Sequence, residues 1–195
     1  MEKVLIDEGK NNFFNSVLGN YIASIRLNLV DEQLELWPYL EKQNSLFIFL
    51  KNSLFIQAWH LSDFSSQDFF SFKKRFNLFY QLTSLMQCFS LKIFCQIDEL
   101  TVLPTLQKIY PAIGWLEREV WDFFGIYFSN HSNLWRILND YGFLGYPLRK
   151  DFPLTGFLEV FYDDFKARLV KVPVELTQEY RKHTYLSVWK KLNDI

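Results

Sequence analysis

Glu117, Glu119 and Asp122, with His131 downstream, come nearest in this sequence to a set of residues that could do chemistry. Carboxylates and an imidazole so close together can trade protons or hold a divalent ion. Their spacing argues for a plainer use. Glu119 and Asp122 are i, i+3 neighbours on a predicted helix, Glu117 projects elsewhere, and Arg118 stands beside Asp122, which predicts a salt-bridged surface. His131 falls in a Ser/Asn turn, where capping or hydrogen bonding is its expected role. No G-x-S-x-G elbow is present to support a hydrolase nucleophile. A carboxylate-based hydrolase would instead need Glu117, Glu119 or Asp122 to line a cleft. His60 and His183 enter no pattern.

Redox and nucleotide chemistry find few ligands. An iron–sulfur cluster takes about four thiolates, or two with two histidines, and this chain has only Cys88 and Cys95. On a predicted strand these two point to opposite faces, so they read as structural thiols. Neither G-x-G-x-x-G nor G-x-x-x-x-G-K occurs. Phe76, Phe79, Tyr80, Phe89 and Phe94 could stack bases from a sheet, but the glycine-aromatic signature of such modules is missing and nearby cations reduce to Lys73, Lys74, Arg75 and Lys92. Core packing is the preferred reading of those rings. A stand-alone RNA-binding module remains the alternative from another class, marked by salt-dependent RNA affinity.

These residues must be held by a folded scaffold. The chain has 195 residues, 49% of them hydrophobic, which suffices for a real core. A net charge of −1, from 21 basic and 22 acidic residues, gives no general footprint for nucleic acid. The best apolar window, Leu46 to Leu61, is interrupted by Lys51, Asn52, Gln57 and His60 and falls short of a membrane span. Two cysteines and no secretory signal pattern fit a reducing compartment, and Glu2, Asp7 and Glu8 argue against a transit peptide.

Periodicity predicts a short helix from Lys10 to Gly19, a strand over Tyr21 to Leu29, a turn at Asp31 and Glu32, and a second strand over Gln33 to Trp37. Pro38 opens a helix through about Lys51. Leu54 to Leu61, Arg75 to Leu85 and Cys88 to Ile97 read as further strands, the last two as a hairpin. Pro111 starts a helix that runs to Phe124 and stops at Gly125, with Ile113, Leu116, Val120 and Phe124 as its apolar stripe. Ser132 or Asn133 is expected to cap a helical turn through Leu138. The fold class is α+β: a mixed, mostly antiparallel four- or five-stranded sheet with helices on one face, plus a long extended C-terminal appendage. The expected division is 1–138 for the α+β domain and 139–195 for an appendage that wraps a partner. Within the appendage, Glu159 to Asp163 and Phe165 to Val172 are predicted extended, and Pro173 is expected to start a last helix containing Glu175, Gln178, Glu179 and Arg181.

The stretch DYGFLGYPLRKDFPLTGFLEVFYDD, Asp140 to Asp164, mixes breakers, rings and charge. Gly142, Gly145, Pro147, Pro153 and Gly156 forbid a continuous helix or central strand. Its backbone groups must therefore find other partners. Tyr141, Phe143, Tyr146, Phe152, Phe157, Phe161 and Tyr162 are too many rings for a solvated loop, and Arg149, Lys150 and Asp151 resist burial unless paired. A second surface is predicted, with Arg149 paired at or near it.

The runs EREVWDFFGIYFSNH (Glu117 to His131), RILNDYGFLGYPLRKDFPLTG (Arg136 to Gly156) and EVFYDD (Glu159 to Asp164) closely resemble the thirty-kilodalton subunit family of respiratory-chain NADH dehydrogenase, known in mitochondria as subunit 9. Ser132, Asn133 and Trp135 stand where that family often has proline, aspartate and arginine, and Tyr146 where histidine is frequent. The resemblance implies a core peripheral-arm subunit of complex I, beside the forty-nine-kilodalton subunit that helps form the quinone site. It implies no cofactor on this chain; flavin, iron–sulfur clusters, NADH and ubiquinone belong to the assembled enzyme. It also implies the matrix side of the mitochondrial inner membrane, with membrane association only through the complex, and no nucleic-acid partner. Arg118, Asp122, His131, Arg136, Asp140, Arg149, Lys150, Asp151 and Glu159 are then the positions expected to brace the subunit or meet its neighbour.

Overall fold

The computed structural model describes residues 16, 18–28, 33–178, 180 and 181. Two compact units emerge, Met1–Phe152 and Pro153–Ile195.

The first unit is built on a five-stranded mixed sheet of β1 (Ile22–Asn28), β2 (Gln33–Pro38), β3 (His60–Asp68), β4 (Phe76–Ser84) and β5 (Phe89–Ile97), in the spatial order β1-β2-β5-β4-β3. Every neighbouring pair is antiparallel except β2 with β5. The crossover between β2 and its later neighbours carries a 3-10 turn, Leu40–Lys42, and helix α1, Gln43–Asn52. Gln43, Leu46, Phe47 and Leu50 recur at i, i+3, i+4 and i+7, so one stripe of α1 is buried.

On β4 every second residue, Phe76, Leu78, Tyr80, Leu82 and Ser84, is buried, and on β5 Leu91, Ile93, Cys95 and Ile97 follow the same rule. Both helices cover this face. Phe47 of α1 meets Tyr80 edge-on at 5.0 Å, and Phe124 of α2 (Ile113–Phe124) meets Phe76 at 6.2 Å. Burying each such ring contributes roughly 1.5–3 kcal/mol. The opposite face is half-buried, with Trp37 stacked on Phe94 at 5.2 Å and Arg26 over Trp37 at 5.1 Å.

Several expectations need correction. Leu54 to Leu61 is turn and loop up to Trp59, and the strand is His60–Asp68. A bulge between Leu61 and Asp63 shifts the alternation by one, so Leu61, Phe64, Ser66 and Asp68 share the buried face and the sequence shows no clean period of two. Cys88 sits in the β4–β5 turn, with φ of 52°, and not on the strand. The helical turn expected from Ser132 or Asn133 to Leu138 does not form; the chain there is irregular. The expected helix at Lys10 to Gly19 and the turn at Asp31 and Glu32 fall largely outside the described residues, although Leu18 is buried.

α2 ends where the sequence predicts. Gly125 has φ of 74° and donates its N–H to the Trp121 carbonyl at 2.9 Å, a left-handed cap that favours glycine. A Cβ there would also stand 2.6 Å from the Tyr146 ring, so the position has two reasons to be glycine. Two short parallel strands, β6 (Leu103–Pro104) and β7 (Phe128–Ser129), bracket α2.

The second unit contains a single hairpin among its described residues, β8 (Leu158–Asp163) with β9 (Arg168–Pro173). Pro173 ends β9, and Val174–Leu176 is not helical, which corrects the predicted last helix over the part that is described. Phe161, Val170 and Val172 lie on one face of the hairpin and Val160, Tyr162 and Leu169 on the other. A two-stranded hairpin with apolar residues on both faces is at best marginally stable in water.

Candidate functional site

In the first unit, three buried polar clusters fix the irregular chain that follows α2. The first is centred on Asp122, which is fully buried. Its Oδ2 accepts the backbone N–H groups of Ile137, Leu138 and Asn139 at 3.2, 2.8 and 2.9 Å. Its Oδ1 accepts Arg136 Nη1 at 2.9 Å and Asn139 Nδ2 at 2.8 Å. Arg136 then reaches the Gly145 carbonyl at 2.8 Å and lies over the Tyr146 ring at 4.9 Å. Burial pushes the Asp122 pKa up, but the donors from Asn139, Leu138 and Arg136 outweigh it and hold the carboxyl below its ordinary range. The N–H groups expected in a helical turn are satisfied by one carboxylate instead.

The second cluster ties Lys150 and Asp151 to the far end of β3. Arg75 forks onto Asp68, Nε to Oδ1 and Nη2 to Oδ2, both at 2.9 Å. It also reaches Asp151 at 2.8 Å and Glu99 at 3.4 Å, and lies 5.2 Å over both Phe70 and Phe76. Asp68 takes a further bond from the Lys150 N–H at 2.8 Å. Arg149 donates to the Phe124 carbonyl at 2.6 Å, pairs with Glu99 and stacks over Tyr146 at 4.7 Å. Burial raises the Asp68 pKa, yet the Arg75 and Lys150 donors leave it below the ordinary value; Arg75 holds Asp151 down as well, and its own pKa is raised by Asp68 and Asp151.

The third cluster joins α2 to both flanking segments. Glu117 is buried; Oε2 accepts the Thr105 hydroxyl at 2.5 Å and Oε1 the Leu106 N–H at 2.9 Å. His131 Nδ1 accepts the Asn133 N–H at 3.0 Å, so Nε2 carries the proton and donates to the Gly114 carbonyl at 3.1 Å. Nε2 is 3.7 Å from Glu117 Oε2.

Of the positions expected to matter, Asp122 with Arg136, and Arg149, Lys150 and Asp151 together, are brought into these clusters. His131 joins the third. Arg118 does not pair with Asp122. It lies 4.8 Å over Trp115 and donates to the Trp135 carbonyl at 3.1 Å. The predicted salt-bridged surface is therefore corrected: Glu117 and Asp122 point inward, because each meets backbone donors arriving from a neighbouring segment. Asp140 is exposed, its carbonyl closing a turn onto Phe143 at 3.1 Å. Glu159 is exposed on β8, opposite Val172. Asp68, Arg75, Glu99, Thr105 and Asn139 were missed. The one available signal was an aspartate in phase with Phe64 and Ser66 on a buried face.

Each clustered carboxylate is engaged by donors, an arrangement suited to bracing. Glu117 and Asp122 are buried, at 1% and 0% exposure. One open groove of about 460 Å³ is lined by Tyr21, Ser45, Ile48, Phe49, Asn52 and Ser53. Among the described residues, no group of three or more His, Cys, Asp or Glu is placed to hold a metal ion, and no helix is long and apolar enough to cross a membrane. Around the braces Trp115, Tyr127, Trp135, Leu138, Tyr141 and Leu144 are exposed. Tryptophan, tyrosine and arginine are the residues most enriched at protein interfaces.

Residues 40–158 match the family described as the respiratory-chain NADH dehydrogenase, 30 Kd subunit. The chain is 46% identical over 148 residues to NADH-ubiquinone oxidoreductase subunit 9 of Reclinomonas americana, covering 76% of this chain and 72% of the relative. It is 44% identical over 149 residues to NADH dehydrogenase (ubiquinone) iron-sulfur protein 3 of Arabidopsis thaliana, covering 76% and 78%. A chain in the solved structure of the membrane-bound sulfane sulfur reductase, an archaeal respiratory membrane complex, superimposes with a TM-score of 0.60 at 25% identity, over 75% of this chain and 86% of that one.

Proposed function

Because this chain belongs to the family of the respiratory-chain NADH dehydrogenase 30 kDa subunit, we propose that it is the structural and assembly subunit that holds the quinone module of complex I in register, beside the forty-nine-kilodalton subunit and without a redox centre of its own. As a 30 kDa subunit of the NADH:quinone oxidoreductase, it works inside a multi-subunit respiratory complex. The observation carrying the proposal is that the buried carboxylates Asp68, Glu117 and Asp122 are engaged by internal donors, while Trp115, Tyr127, Trp135 and Tyr141 around them are exposed. The family profile and the braces cover the same stretch.

The absence of a cofactor on this chain is inferred from ligand supply. Two cysteines fall short of a cluster's thiolates, Cys95 is buried with its thiol pushed up to about 12 by burial, and Cys88 is exposed in a turn. The archaeal relative, named for sulfane sulfur rather than quinone, supports a scaffold role for the shared fold. The reading places the subunit on the matrix side of the mitochondrial inner membrane, reaching the membrane only through its neighbours.

On a native gel of solubilised respiratory membranes, the chain is expected to migrate with NADH-oxidising activity. Purified alone, it should carry no stoichiometric iron, zinc or flavin. Migration apart from that activity would sink the assignment, and a bound chromophore would sink the cofactor-free reading.

The same proposal makes the β8–β9 hairpin a partner-binding element. Hydrogen exchange should therefore be fast across Leu158–Pro173 in the isolated chain, slow across β4 and β5, and slow in both within the complex. Protection of the hairpin equal to that of β4 in the isolated chain would count against it.

A further inference from the structure

Within the third brace, Glu117 and His131 are unusually buried for ionisable groups: their side chains are 1% and 2% exposed. The ion-pair neighbour of Glu117 among the described residues is His131, and it stands 3.7 Å away, too far for a hydrogen bond but within reach of a small ring rotation. A second ring proton at Nδ1 would oppose the Asn133 N–H, so the imidazole can offer only its Nε2–H, now given to Gly114. The Thr105 hydroxyl can serve either form of the carboxyl. It donates to Oε2 at 2.5 Å while accepting the Gln107 N–H at 3.1 Å, and its second lone pair leaves room to accept a carboxyl proton.

We propose that Glu117, Thr105 and His131 form a buried one-proton switch, in which the protonated carboxyl donates to Thr105 and the ionised carboxylate draws the His131 Nε2–H away from the Gly114 carbonyl. The proton comes from solvent and returns to it. Because His131 begins the irregular stretch that ends on Asp122, the protonation state of Glu117 sets how tightly this stretch is held against α2.

The other groups facing the site do not compete for the proton. Tyr80 of β4, which senses the Glu117 charge, and Cys95 of β5 are both buried; burial raises the pKa of each, so both stay neutral. Gln43 of α1 donates to the Tyr80 hydroxyl at 2.9 Å and is uncharged. Arg118 and Glu119 flank Glu117 on α2 itself and are half-buried. Burial then raises the Glu117 pKa from 4.5 to about 7, against the lowering effect of Thr105 and Leu106. A carboxyl with a raised folded pKa binds its proton more tightly when folded. Its stabilising contribution is complete below pH 4.5 and is lost as pH rises toward 7.

The test is an NMR titration of the full chain between pH 4 and 8.5, with carbon-13 at glutamate carboxyls and nitrogen-15 in histidine. The expected result is a Glu117 carboxyl midpoint near 7, well above those of exposed glutamates, with the His131 Nε2 shift moving at the same midpoint. Glu117→Gln should erase the His131 inflection, and Thr105→Val should move the Glu117 midpoint higher. A Glu117 carboxyl that titrates with the exposed glutamates, or a His131 Nε2 shift that does not move at the Glu117 midpoint, overturns the proposal, and either is visible in the unmodified protein.

Discussion

Replacing Asp122 with alanine is expected to lower the stability of the chain by about 3–5 kcal/mol, the usual cost of removing one partner of a buried charged pair. For a chain of this length that is a fall in Tm of roughly 10 °C. The side chain is fully buried and its two oxygens receive three backbone N–H groups, the Asn139 amide and the Arg136 guanidinium. Without it, three N–H groups at Ile137 to Asn139 lose their acceptor and a guanidinium is left without its carboxylate. Asp122→Asn keeps one oxygen but turns an amide N–H₂ toward donors, so about half the loss should remain. The stretch carrying exposed Trp135 and Leu138 would lose its fixed path, and assembly into the complex should fall more than fold stability alone accounts for. Thermal melts of the variants, read beside native-gel yields, check both statements. A melt within about 1 kcal/mol of the unmodified chain would show that the carboxylate is not the anchor.

Arg75→Ala should have an effect of similar size and a different signature. Asp68 has a side chain only 1% exposed, and it would keep the Lys150 N–H while losing a two-pronged guanidinium. Arg75→Lys should recover only part of the loss, since a point charge cannot fork onto Asp68 and reach Asp151 together. The pH profile distinguishes this brace from simple packing. In the native chain Asp68 and Asp151 are held below the ordinary value of 3.8, so their contribution is present above that pH and is lost as pH falls through their lower folded values. In Arg75→Ala burial acts on Asp68 with less opposition and its folded pKa rises, so the variant should be less stable at neutral pH while its stability falls less steeply as the pH drops below 3.8. An unchanged acid limb with an unchanged melt would remove Arg75 from the brace. Arg149, which the sequence singled out, should matter less: its carboxylate partner Glu99 is 46% exposed, and solvent already screens that pair.

Much was legible in the sequence because it depends on local pattern. β4, β5 and α2 announce themselves by strict alternation or a helical stripe, and Gly125 marks the helix end by a backbone requirement that needs no neighbour to explain it. The glycines, prolines and paired charges from Asp140 onward showed that this chain could be neither helix nor sheet, and their order carried the family resemblance. β3 was misplaced because its bulge breaks the alternation on which such reading relies. Only the tertiary structure decided which charges turn inward. Asp122 faces Ile137, Leu138 and Asn139 because those N–H groups arrive there, and Asp68 faces Arg75 and Lys150 across a separation of 82 residues from the latter. A helical position makes an acid available to several neighbours alike. Which of them it binds is set by where the chain returns in space, and the cost of an unpaired buried N–H or carboxylate then fixes that choice.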